Sequence, residues 1–186
     1  MSDSYLDPAH YVLRNKFGVT NTGQLDILER RFVTQRIAEG APAGEFDLAH
    51  LCAIHRHLFQ DVFDWAGELR GIAMEEHHVP VQAPAKIANH IGALHRDIAE
   101  KDFLHGSDPG DFAREAASLM GEMNYVHPFR EGNSHALLIY LKQLAERAGH
   151  PLDLTRLPAE PWIEASEAAL AGDLEPMASM LTFALS

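Results

Sequence analysis

Two runs of apolar residues at helical spacing flank a short polar break, and that break limits the possible folds more than any other feature of the chain. Upstream, Phe112, Ala116, Leu119, Met120 and Met123 share one face, and downstream Leu137, Leu138, Leu141 and Leu144 do the same. Between them stands His127-Pro128-Phe129-Arg130-Glu131-Gly132-Asn133. This spacing predicts a helix-loop-helix joint whose second helix starts near Gly132 or Asn133. The N–H groups at such a start lack intrahelical partners and carry the positive end of the helix dipole, so the turn is suited to an anion. Gly132 lets the backbone come close to it. Each residue also has an ordinary role open to it: Asn133 as a helix cap, Gly132 as a turn, Phe129 as a core anchor, His127 as a satisfied helix-end histidine.

The remaining periodicity is mostly helical as well. Thr22 is placed to cap a helix carrying Leu25, Leu28 and Phe32, and Asp47 one carrying Leu48, Leu51, Ile54 and Leu58, with a loop from Gly40 to Gly44 between them. Ile87, Ile91, Leu94 and Ile98 mark a third helix that runs from Pro84 and stops before Gly106. Beyond Gly149 two shorter helices are expected, Pro161 to Ala171 and about Leu174 to Leu185. Only one region reads as strand, Leu69 to Met74 pairing with His78 to Val81 across Glu75-Glu76-His77. The expectation is an all-α chain with one short hairpin. It forms a single domain over 1–186, with its core at about 25–149 and its C-terminal helices at 150–186.

Composition narrows the function. The 186 residues, 46% of them hydrophobic, suffice for one sizeable core. The net charge of -12 argues against nonspecific binding to nucleic acid, although oriented amides and a divalent ion can still hold a few phosphates. The one cysteine, Cys52, excludes an internal disulfide framework and reads as a small core residue. No apolar run approaches the roughly 18 residues of a membrane span, and the start of the chain lacks the pattern of a signal peptide. A cytoplasmic protein that binds neither membrane nor nucleic acid is expected.

The loop residues match H-x-F-x-[D/E]-G-N, and in this the chain resembles the Fic domain family of protein adenylyltransferases, most of all the compact toxins paired with a small separate antitoxin. Phe63-Asp64-Trp65-Ala66-Gly67-Glu68-Leu69-Arg70 likewise resembles the segment that precedes the family's flap hairpin. The resemblance implies a Fic-type helical bundle with one flap, ATP as co-substrate, Mg²⁺, and transfer of AMP to a Tyr, Thr or Ser hydroxyl of a target protein. By it, His127 is the general base and Glu131 holds the metal. Gly132, Asn133, Ser134 and His135 meet the nucleotide phosphates, and Phe129 anchors the loop. Gly71, Ile72, Ala73, Met74, Val79 and Val81 belong to the flap that docks the target.

Two departures matter. The family signature continues G-N-G-R-x-x-R, but here Ser134 replaces the glycine, His135 the first arginine and Leu138 the second. In the family these arginines meet the β- and γ-phosphates. Arginine is a permanent planar cation, whereas a histidine at a helix start is pushed toward neutrality. Arg130, Lys142 and Arg147 are near in sequence, the last two too far along the helix to serve as assumed substitutes. Three readings stay open: loosely oriented ATP use, another nucleotide-type donor, or a non-catalytic Fic-like interaction module. No convincing [S/T]-x-x-x-E-[G/N] inhibitory segment is found, since Ser118 to Glu122 ends in Met123 and Thr34 to Glu39 is one residue too long. The pairs His55 with His57 and His77 with His78 raise the alternative of a metal site, against which His55 reads as a satisfied core histidine.

Overall fold

The computed structural model describes residues 3–76 and 79–185. Helices α1 (Thr22–Glu39), α2 (Leu48–Phe59), α3 (Ile87–Glu100), α4 (Pro109–Val126), α5 (Asn133–Ala148), α6 (Ala159–Leu170) and α7 (Glu175–Ala184) carry the fold. A two-stranded antiparallel hairpin, β1 (Glu75–Glu76) and β2 (Val79–Pro80), is inserted between α2 and α3.

The helix starts follow capping chemistry. Asp47 accepts from the His50 N–H at the head of α2, and Asp108 accepts from the Asp111 N–H at the head of α4, where Pro109 fills the first position without losing a hydrogen bond. The expected cap of α1 is displaced by one residue: Asn21, not Thr22, accepts from the Gln24 N–H, and Thr22 is already helical. Both side chains can cap, and asparagine does so slightly better. On α1, Leu25 and Val33 are buried, Phe32 packs at the edge of the core, and Leu28 is only half-buried.

The core lies where α2, α4 and α5 meet. Leu51, Ile54 and Leu58 of α2, Phe112, Ala116, Met120 and Met123 of α4, and Leu141 and Leu144 of α5 are fully enclosed. Removing this much apolar surface from water is the main stabilising contribution of the fold. α6 and α7 pack on the other side of α4, and a bridge between Leu152 and Leu185 ties the chain's end to the exit of α5. Cys52 is half-buried, and burial raises its thiol pKa, as fits a packing residue.

The hairpin differs from its expected register. Glu75 pairs with Pro80 and Glu76 with Val79, so both glutamates lie in a strand and not in the turn, while His77 and His78 fall outside the described residues. Leu69 to Met74 is not a strand, because its backbone is used elsewhere. The Arg70 N–H donates to the Pro128 carbonyl at 2.9 Å, and the Gly71 N–H donates to the Tyr5 hydroxyl at 3.1 Å. Among the described residues only the Met74 carbonyl continues the ladder, accepting from the Val81 N–H at 3.3 Å.

Candidate active site

The polar break turns on two left-handed residues. His127 closes α4 at φ 45°, ψ 65°, its N–H still bonded to the Met123 carbonyl at 3.0 Å, and Gly132 opens α5 at φ 80°. A left-handed non-glycine residue is uncommon and tends to sit where function needs a sharp redirection. Gly132 has a second reason to be glycine, since a Cβ there would overlap the Phe59 ring.

Asn133 is the first residue of α5, and its role is neither cap nor exposed ligand. Its buried side chain reaches back across the loop: Oδ1 accepts from the Phe129 N–H and Nδ2 donates to the Phe129 carbonyl, each at 2.9 Å. This clip closes the loop on itself. Phe129 is fully buried, as expected of an anchor, and its ring stacks on His55 with centroids 3.8 Å apart.

His55 is the core histidine that the sequence suggested, with an added duty. The Gly67 N–H donates to its Nδ1 at 2.8 Å, which leaves Nε2 to carry the ring proton and donate to the Glu131 carbonyl at 2.9 Å. Burial pushes its pKa down to about 4, against the opposing effect of the Glu131 bond, so it is neutral.

Arg70 supplies the other brace. It is buried, no carboxylate pairs with it among the described residues, and carbonyls satisfy it instead. Nε donates to His127 at 2.6 Å, Nη1 to Ile72 at 2.6 Å, and Nη2 to Val126 at 3.3 Å and to Gln82. Two of these carbonyls belong to the C-terminal end of α4, where the helix dipole favours a cation. One guanidinium thus locks the His127 backbone to both roots of the hairpin.

These braces frame a cleft of about 480 Å³ lined by His127, Arg130, Glu131, Gly132, Ser134 and His135 on its polar side, and by Met74, Leu138, Leu157, Trp162 and Ile163 on its apolar side. Its floor is the start of α5. The first helical bond runs from the Ala136 N–H to the Gly132 carbonyl at 3.1 Å, so the amides of Asn133, Ser134 and His135 precede it. The Gly132 N–H instead donates to the Glu131 carboxylate at 3.1 Å. Desolvation lowers the pKa of His135, only partly offset by Glu131, so its ring favours the neutral form.

Of the flap residues, Met74 lines this cleft, while Gly71, Ile72 and Ala73 line an adjoining groove of about 430 Å³ that also contains Met74, Arg130 and Asp3. Val79 is exposed in β2, and Val81 is buried beneath the hairpin. Glu131 is the one carboxylate lining the cleft among the described residues, and no group of three or more His, Cys, Asp or Glu side chains there could hold a metal by itself. A single carboxylate fits Mg²⁺, which completes its shell with phosphate oxygens and water. His55 and His57 belong to no group of three or more possible metal ligands among the described residues, and the pair His77 with His78 lies outside them.

Sequence reasoning passed over Arg70, the tie from His55 to the loop, and the apolar wall contributed by Leu157, Trp162 and Ile163. The signal for Arg70 was present in the Phe63–Arg70 segment. The others depend on long-range contacts that leave no periodic trace.

A sequence profile of the Fic/DOC family matches residues 45–145. A probable protein adenylyltransferase of Sinorhizobium fredii, y4lH, is 34% identical over 180 residues, spanning 96% of this chain and 94% of that protein. A probable protein adenylyltransferase Fic of Salmonella typhimurium is 34% identical over 186 residues, spanning 99% and 92%. Among solved structures, the BepC protein of Bartonella tribocorum with bound AMPPNP superposes with a TM-score of 0.88 at 25% identity, covering 98% of this chain and 96% of that one.

Proposed function

This chain belongs to the Fic/DOC family, and from that premise we propose that it transfers AMP from ATP to a hydroxyl side chain of a target protein. The single observation that carries the reading is the juxtaposition, in one cleft, of His127, Glu131 and the leading amides of α5. The similarity to proteins named adenylyltransferases, and to a structure holding an ATP analogue, supports ATP as the donor.

The reaction divides among the residues as follows. The target's hydroxyl oxygen attacks the α-phosphorus, His127 takes the hydroxyl proton as the new P–O bond forms, and pyrophosphate leaves with the electrons of the broken bond. An imidazole suits this task because it titrates near working pH. The amides of Asn133, Ser134 and His135 orient the phosphates, and the apolar wall of Leu138, Leu157, Trp162 and Ile163 receives the base. Glu131 would hold Mg²⁺, which when bound neutralises the charge that builds on the leaving pyrophosphate. Gly71 to Val81 aligns the target segment by backbone pairing along the hairpin and its root, which sets the hydroxyl against the donor.

The chain acts as one domain in the cytoplasm, as the toxin of a toxin–antitoxin pair held in check by a small separate protein. The absence of a recognisable inhibitory segment in the sequence supports a separate inhibitor. Leu138 and the neutral His135 favour a second reading, a non-catalytic interaction module or a transferase using another nucleotide donor. Mass spectrometry of a cell extract incubated with the protein, Mg²⁺ and ATP decides between them. An AMP adduct on a protein hydroxyl is expected, and an adduct formed only from another nucleotide, or none from any donor, overturns the proposal.

A further inference from the structure

Arg130 stands where three spaces meet. It lines the 480 Å³ cleft with His127 and Glu131, the 430 Å³ groove under the flap, and a 340 Å³ cavity between the N-terminal segment and α1. No other lysine or arginine lines the cleft among the described residues. The nearest cations along α5 are committed elsewhere, Arg147 over the Phe103 ring at 4.2 Å and Lys142 to Glu146. A polyphosphate entering this cleft therefore meets a histidine at 135 and a leucine at 138, neither a permanent cation, and one guanidinium.

That cation is tethered lightly. Its Nε donates to Asp3 Oδ2 at 2.9 Å, with the two side chains 17% and 21% exposed, and no other hydrogen bond of its guanidinium is found among the described residues. A guanidinium has five N–H donors in a planar fork, so this contact leaves both Nη groups available to an anion. Asp3 belongs to the N-terminal segment, which folds back through the Leu6–Leu13 bridge, while Tyr5 holds Gly71 and packs edge-on against Trp65.

We infer that Arg130 is the phosphate-binding cation of this cleft, standing in for the permanent cation that positions 135 and 138 lack, and that Asp3 holds it at the rim until a polyphosphate competes for it. The inference rests on the nucleotide-donor reading above. It makes Arg130 a determinant of donor choice: the guanidinium discriminates by the length of the phosphate chain, while the apolar wall handles the base equally in mono-, di- and triphosphates.

Calorimetric titration of the full chain with ATP, ADP and AMP in Mg²⁺ tests this, without any target protein. Arg130→Ala is expected to weaken ATP by about 10- to 100-fold, the scale of a lost charge-assisted hydrogen bond, while AMP stays near its wild-type affinity. Arg130→Lys, which keeps the charge but not the fork, falls between. Asp3→Asn breaks the same ion pair without removing the cation, so it is expected to bind ATP at least as tightly as wild type. If Asp3→Asn and Arg130→Ala weaken ATP alike, the effect belongs to the N-terminal segment and the assignment fails. It also fails if Arg130→Ala weakens AMP as much as ATP, or leaves ATP unchanged. A wild-type protein that binds no ATP would remove the donor reading itself, whereas wild-type binding with an indifferent Arg130→Ala removes only Arg130.

Discussion

Lowering the pH should loosen the loop between α4 and α5 through His55. Its pKa lies at about 4 in the folded protein, against an ordinary 6.5, because the ring is buried between Phe59 and Phe129 and both nitrogens are committed. Folding thus favours the neutral form. Its contribution is fully present above pH 6.5 and is lost as the pH falls from 6.5 toward 4, where the unfolded chain binds a proton that the folded one refuses. Across this window the loss is on the order of 3 kcal/mol, most of it gone by pH 4.5. Glu29 acts in the opposite direction. Burial, then Glu131, then Asp26 push its pKa up to about 7, so its contribution is present below 4.5 and lost as the pH rises through 7. The two slopes offset each other in the wild-type curve. The quantity to read is therefore the difference in urea-unfolding free energy between wild type and His55→Gln, in which Glu29 is unchanged. That gap should shrink by roughly 2–3 kcal/mol between pH 7.5 and pH 4.5; a gap constant across that range would show that the fold does not hold His55 neutral.

Two further outcomes follow from the loop and the cleft. Asn133→Ala should cost about 1–3 kcal/mol, because it leaves the buried Phe129 N–H and carbonyl without their partner, and thermal unfolding followed by circular dichroism measures it. The double substitution His135→Arg, Leu138→Arg should tighten ATP by about tenfold or more through two charge-assisted phosphate contacts, read by titration calorimetry, with AMP affected less.

The helix-loop-helix joint was legible because a 3.6-residue period survives in the sequence whatever the helices pack against. Phe112, Met120 and Met123 on one side and Leu141 and Leu144 on the other are all fully enclosed. The residues of the loop were legible as a set because they are contiguous. The hairpin was misplaced for a physical reason: Leu69 to Met74 has the composition of a strand, but Arg70 and Gly71 give their backbone donors to Pro128 and Tyr5. Strand propensity yields to whichever partner the tertiary structure provides. The braces stayed hidden because His55 reaches Glu131 across 76 positions and Arg130 reaches Asp3 across 127, distances over which no local pattern carries information. The left-handed turn at His127 was hidden too, since the donor that holds its carbonyl, Arg70, lies 57 positions away.

In the proposed function, His127 serves as the base of an AMP transfer for which the rest of the cleft only binds and orients. The most direct measurement pairs ATP affinity with AMP transfer to cell-extract protein for wild type and His127→Ala. The variant is expected to keep near-wild-type ATP affinity and thermal stability while transfer falls by at least about 100-fold, the scale of general-base catalysis. Transfer at the wild-type rate by a folded, ATP-binding His127→Ala protein would contradict it.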